Sequence, residues 1–321
     1  MNAPLALNPV ESIPLGPGQA VVTFDIQPTE TTAALFDRDG IMRGLAHSPP
    51  PTPTPTATRG EATLNQVEDL TTQLARDFPE VVPTAIGLIA PGIIDDREGI
   101  AILSGDLEWA DVPYKQLVED RLHLPCSFSH DARAAAEAEF QLGAARSFDN
   151  VVMLRLGARI AGSLYVDGRV HDGGGFAGGL GHAIVDPAGT RCMCGAYGCL
   201  QTVASTSAIL ERYSELDNAP PATGDEVLER ARRGDAAANQ VWSNALDAVA
   251  LVVSQVSAIL APEAVIVGGG LALTGDEFFP AVRHRMNTLL GVHRRPLVIP
   301  SLITLNAGHL GAALHARALP A

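Results

Sequence analysis

Cysteine is scarce in this chain, with four in 321 residues, and that argues against a disulfide-built secreted protein. The N-terminal residues lack the basic start and long apolar core of a secretory signal. No uncharged apolar run is long enough to cross a bilayer, because the longest apolar stretch, residues 246–266, is interrupted by Asp247, Gln255 and Glu263. Together these absences point to the cytoplasm and away from a membrane partner. Positive charge is short too: Lys and Arg number 22 against 36 Asp and Glu, a net charge of −14. A nucleic-acid binder must neutralise phosphates with cations, so direct nucleic-acid binding is not expected. The local basic run, with Arg283, Arg285, Arg294 and Arg295, reads as a solvated surface near a helix end.

Three of the cysteines fall in one short run, CMCGAYGC: Cys192, Cys194 and Cys199, with His182 ten residues before the first. Three thiolates and an imidazole complete a tetrahedral zinc shell with no open position, which is the structural kind of site. The alternatives are a disulfide or buried apolar cysteines; a disulfide would leave an odd thiol, and the segment has no secretory context. Gly195 and Gly198 suit a tight knuckle around a metal.

Hydrophobic residues make up 46% of the chain, enough for a large core in two packed lobes. Residues 1–19 read as a disordered or extended leader, and the low-complexity SPPPTPTPT run as exposed and extended. Strands are expected over residues 20–26 and 31–36, with a turn at Asp37-Arg38-Asp39-Gly40. An amphipathic helix over 61–77 would bury Leu64, Val67, Leu70 and Leu74. Strands follow at 84–89 and 126–129, then an alanine-rich helix at 131–145. A strand pair at 150–156 and 160–166 turns at Asp167-Gly168. Helices are read from Gly224 and over 235–260, a strand at 264–267 running into three glycines, a strand near 297–304 and a helix at 308–318. Strands alternating with helices give an α/β fold.

The run from Gly174 to Ser205, GGFAGGLGHAIVDPAGTRCMCGAYGCLQTVAS, resembles the zinc signature of the ROK family (repressors, open reading frames and sugar kinases). The resemblance extends from about Ala20 to the C-terminus. It implies a two-lobed actin-like sugar-kinase architecture, a ribonuclease-H-like ATPase fold with a zinc knuckle. The lobes would be a smaller one over 20–132 plus 305–321 and a larger one over 133–304. It also implies a homodimer, a sugar or sugar-like ligand, structural Zn2+, and ATP with Mg2+ if the protein is a kinase. Family repressors carry a helix-turn-helix before this region; about twenty residues precede the first strand here, so none is expected in them.

By the same resemblance Asp131, in SHDARAAAEAE, takes the place of the catalytic base. Read from the residue alone, an aspartate there is a helix cap, and both roles are compatible. Ile266-Val267-Gly268-Gly269-Gly270-Leu271 resembles the turn that admits adenosine. The two phosphate turns depart from the family pattern. The first reads Asp25-Ile26-Gln27-Pro28-Thr29, where Gln27 adds bulk and Pro28 removes an N–H. The second reads Gly157-Ala158-Arg159, with a long side chain at a glycine position. Among sugar-gripping positions His182 is kept, serving zinc and sugar alike. The others carry Gly179, Gln201, His130 and Asp106 in place of two glutamates and two asparagines. A lost charge-assisted hydrogen bond costs about 1.5–3 kcal/mol, so an ordinary hexose is expected to bind poorly. The resulting expectation is a sugar- or cyclitol-binding ROK homologue with weak or absent phosphotransfer. The alternative is an active ATP-dependent kinase of a hexose-like substrate with Asp131 as base, using Asp25, Thr29, Gly157 and Gly268–Gly270 for nucleotide.

Overall fold

The computed structural model describes residues 13–52, 58–216, 223–273 and 277–320, and most of the leader and part of the proline-rich run lie outside them. The chain divides into two compact units, one of residues 1–142, 172–176 and 305–321, the other of 143–171 and 177–304.

The first unit opens with β1 (Val21–Ile26), β2 (Thr31–Phe36) and β3 (Met42–Ser48), an antiparallel meander. Asp37 closes its second turn, accepting from the N–H groups of Asp39 and Ile41 at 2.9 Å each. Next comes α1 (Arg59–Asp77), capped by Thr58, whose hydroxyl accepts from Glu61 N. Its buried face is Thr63, Leu64, Val67, Leu70 and Leu74. Each of those leucines contributes about 1.5–3 kcal/mol by leaving water.

Strand β4 (Ala85–Ala90) pairs parallel to β1, and β8 (Cys126–His130) parallel to β4, giving the sheet order β3-β2-β1-β4-β8. Between them lie β5 (Ile93–Asp95), β6 (Ile100–Ser104) and β7 (Trp109–Val112), a small sheet that sequence pattern did not indicate, and α2 (Tyr114–Leu122). These strands are short and half exposed, so they lack a clean alternation to read.

Helix α3 (Asp131–Leu142) stops three residues earlier than its alanine content suggests, at Gly143. It packs against the last helix, α9 (Ala307–Arg317). The contact is so close that a Cβ on Gly311 would lie 1.7 Å from the Ala134 carbonyl. Arg317 of α9 also ties down the end of the expected leader, donating to the carbonyls of Gly16 and Gln19 at 2.8 Å each. Residues 15–19 are therefore held rather than loose.

The second unit repeats the plan. Strands β9 (Val151–Leu156), β10 (Ile160–Val166) and β11 (Arg169–Val170) are antiparallel neighbours, and β12 (Ala264–Gly268) and β13 (Leu297–Pro300) extend the sheet parallel to β9. The order β11-β10-β9-β12-β13 matches that of the first sheet. Helices α4 (Gln201–Ala204), α5 (Thr206–Leu216), α6 (Gly224–Arg232), α7 (Ala236–Leu260) and α8 (Phe278–Leu289) belong to this unit. Asp235 caps α7 by accepting from Ala238 N at 2.9 Å. By length and composition α7 could cross a membrane, but most of its apolar residues belong to the core of the second unit, and it packs against α4, α5, α6 and α8. The basic run ends two helices: Arg294 donates to the carbonyl of Ala261 and Arg295 to that of Leu290, each at 3.1 Å.

Candidate functional site

Asp25 stands one residue from the end of β1, and Asp131 follows β8 directly as the first residue of α3. Both strands run parallel to β4, so both aspartates emerge at one edge, the carboxyl end of the parallel strands where open α/β sheets bind ligands. Asp25 pairs with Ile89 and His130 with Ala90, so the two carboxylates project from strands separated only by β4. The Oδ2 of Asp25 also faces the start of α9, where a Cβ on Gly308 would lie 3.5 Å away. A helix N-terminus favours a carboxylate there.

Asp131 does act at the helix start: its Oδ1 accepts from Ala132 N at 2.7 Å. His130 Nδ1 lies 3.1 Å from the same oxygen and accepts from Ala132 N at 3.0 Å. What the sequence did not disclose is the place of Gln27. Its Nε2 donates to Asp25 Oδ1 at 2.7 Å and to Asp131 Oδ2 at 3.0 Å. Its backbone N–H is spent within the turn, on the Glu30 carbonyl at 2.9 Å. Thr29 is exposed in that turn, and Asp106 lies in the turn between β6 and β7 of the same unit.

One further side chain supports this edge. Arg133, buried two residues into α3, donates to both carboxylate oxygens of Asp96 and to the Ile94 carbonyl. Ser129 donates to Asp96 Oδ2 at 2.6 Å. A lone arginine in an alanine-rich helix is the sequence signal that could have pointed to this network, which the motifs above do not include.

In the second unit Gly157, Ala158 and Arg159 join β9 to β10, and the N–H of Gly157 donates to the Arg159 carbonyl at 3.0 Å. Of the three glycines at 268–270, Gly268 ends β12 and the two that follow it differ in surroundings. Gly269 has φ +90°, and a Cβ there would sit 2.3 Å from the Leu156 carbonyl, so packing against β9 requires glycine. Beside Gly270 a Cβ would meet nothing. Gln201 Oε1 lies 3.4 Å from the N–H of Ile160, which donates to it, and a Cβ on Gly179 would also enter open space.

His182, Cys192, Cys194 and Cys199 converge, with their donor atoms all within 4.8 Å of one another. A turn in which Cys192 N donates to the Ala196 carbonyl and Gly195 N to the Cys192 carbonyl presents the thiols. His182 Nδ1 lies 3.5 Å from Cys192 Sγ, and the sulfurs of Cys194 and Cys199 are 3.7 Å apart. Tetrahedral zinc, with Zn–S about 2.3 Å and Zn–N about 2.0 Å, sets sulfur–sulfur edges of about 3.8 Å and sulfur–nitrogen edges of about 3.5 Å. The four donors are therefore compatible with one zinc ion. Burial, then hydrogen bonds and charge from Cys194 and Cys192, push the Cys199 thiol up to about 12, a crowding that a bound cation relieves. Burial, then the Arg159 charge, lowers His182, favouring the neutral imidazole that binds metal.

The ROK family profile matches residues 21–318. The chain belongs to the ROK family. The glucokinase of Thermotoga maritima is 32% identical over 280 residues, 80% of this chain and 87% of that protein. The ROK hexokinase structure from Thermus thermophilus superposes with a TM-score of 0.77 at 28% identity, covering 92% of this chain and 97% of that one. A ROK glucokinase from Streptomyces griseus, solved with glucose and AMPPNP, gives 0.75 at 26%, covering 93% and 99%. The α/β sugar-kinase fold is thus shared, and the chain is a homologue of ROK sugar kinases.

Proposed function

We propose that this ROK protein binds a sugar or cyclitol and transfers phosphate from ATP weakly or not at all. The observation that carries this reading is the turn from Ile26 to Thr31. Phosphoryl transfer relies on backbone N–H groups turned toward the phosphates. In this turn Gln27 spends its N–H on the Glu30 carbonyl, and Pro28 has none to give. The turn at 157–159 likewise spends the Gly157 N–H on the Arg159 carbonyl.

Asp106, His130, Asp131, His182 and Gln201 are the sugar-contacting candidates. Zinc at His182, Cys192, Cys194 and Cys199 has a structural role, since the four protein donors fill its shell. A cytoplasmic homodimer without direct nucleic-acid contact completes the proposal.

A second reading has its own support. It is supported by the resemblance of the Asp131 segment to that of the family's base and by the open space that a Cβ on Gly270 would meet. On that reading the protein is an ATP-dependent sugar kinase. Asp131 takes the hydroxyl proton, Asp25 and Thr29 serve the phosphates and Mg2+, and Gly157 and Gly268–Gly270 line the nucleotide.

Titration with ATP–Mg2+ by calorimetry, followed by a phosphotransfer assay on glucose, separates the two. The proposal expects no tight nucleotide binding. Tight binding with turnover that Asp131→Asn abolishes would establish the kinase.

A further inference from the structure

The Gln27 side chain reaches across the sheet edge. Strands β1 and β8 both neighbour β4, and adjacent strands lie about 4.8 Å apart, so the backbones bearing Asp25 and Asp131 are separated by about twice that. An aspartate side chain is too short to span the gap, whereas the glutamine amide fills it and gives one N–H to each carboxylate. An amide N–H does not give up its hydrogen at neutral pH, so it fills one lone pair of the oxygen it binds and makes that oxygen less basic. Asp131 Oδ1 is engaged by Ala132 N, and Oδ2 by this amide.

From this geometry we infer that Gln27 is a positioning residue that occupies the proton-accepting oxygen of Asp131 and so sets the sugar affinity of the site. The inference rests on the reading of the protein as a sugar binder. In phosphotransfer a sugar hydroxyl gives its proton to Asp131 while its oxygen bonds to phosphorus and the bond to the nucleoside diphosphate breaks. To donate to Oδ2, in that step or in simple binding, the hydroxyl must share the oxygen with the amide, at reduced basicity and in restricted space, or displace it. Gln27 thus competes with the ligand from within the chain.

The test is calorimetry of the full chain with glucose as probe, on the wild type, Gln27→Ala, Asp131→Asn and the double variant. Gln27→Ser stands in if the alanine variant fails to fold. Gln27→Ala is expected to bind glucose about ten-fold or more tightly than the wild type, the size of one charge-assisted hydrogen bond. The gain should disappear when Asp131 is also asparagine. Gln27→Asn, one methylene shorter, should show part of it. An unchanged or weaker affinity in Gln27→Ala and Gln27→Ser, including no detectable binding, overturns the inference, as does a gain that survives Asp131→Asn. Efficient phosphorylation of glucose by the wild type would instead overturn the functional reading, whatever the coupling between Gln27 and Asp131.

Discussion

The hairpins β1–β2 and β9–β10 hold the same place in two sheets of the same order, yet their turns have diverged in different directions. In the first, Ile26 pairs with Thr31, and the intervening residues direct a side chain onto two carboxylates. In the second, Leu156 pairs with Ile160, and the turn carries an exposed arginine. The strands agree because burial on both faces fixes their register. Nothing comparable constrains the turns, whose residues answer to what they bind. A repeated scaffold can therefore preserve its frame while its two functional turns change separately.

The largest test of this comparison concerns what the second unit has and the first does not. Cys199→Ser, or chelation, should release one zinc per chain and cost on the order of 5 kcal/mol or more. Metal analysis together with denaturation would read this, and an unaltered metal content and stability would rule out zinc at the knuckle. Next come the glycines after β12. Gly269→Ala forces a side chain into left-handed backbone and against the Leu156 carbonyl, and should cost about 2–5 kcal/mol in urea unfolding.

The first hairpin has its own weak point beneath it. His309, buried in α9, joins β1 to β2: its Nδ1 lies 2.8 Å from the Thr23 hydroxyl and its Nε2 2.8 Å from that of Thr32. Burial, then the charge of His47, lowers its pKa to about 4. The unfolded chain, at about 6.5, takes up this proton first as pH falls. The contribution is whole above about pH 6.5 and is lost as pH drops toward the folded value, about 2 kcal/mol by pH 5. His309→Gln should flatten that slope in denaturation curves at pH 7.5 and 5. A slope that persists would assign it to other groups. The smallest effect is expected at Gly270→Ala, within about 0.5 kcal/mol of wild-type stability, because a Cβ there meets nothing. A large loss would mean that this position, like Gly269, is given to packing.

Residue spacing alone makes a good part of the fold legible. The face of α1 follows from the spacing of Leu64, Val67, Leu70 and Leu74, and the cap of α7 from Asp235 ahead of an apolar run. The small sheet β5-β6-β7 is not legible in this way, since its residues neither alternate nor lie fully buried.

The clustering of His182 with Cys192, Cys194 and Cys199 could be read from sequence because it is local: three of the four donors fall within eight residues, so the short run itself brings them together. Family membership was legible for a similar reason, through a contiguous stretch. The bridge from Gln27 to Asp131 spans 104 positions and that from His309 to Thr23 spans 286, so neither has a local pattern. Only the pairing of distant strands around β4, and the packing of α9 beneath them, decided which polar groups would meet.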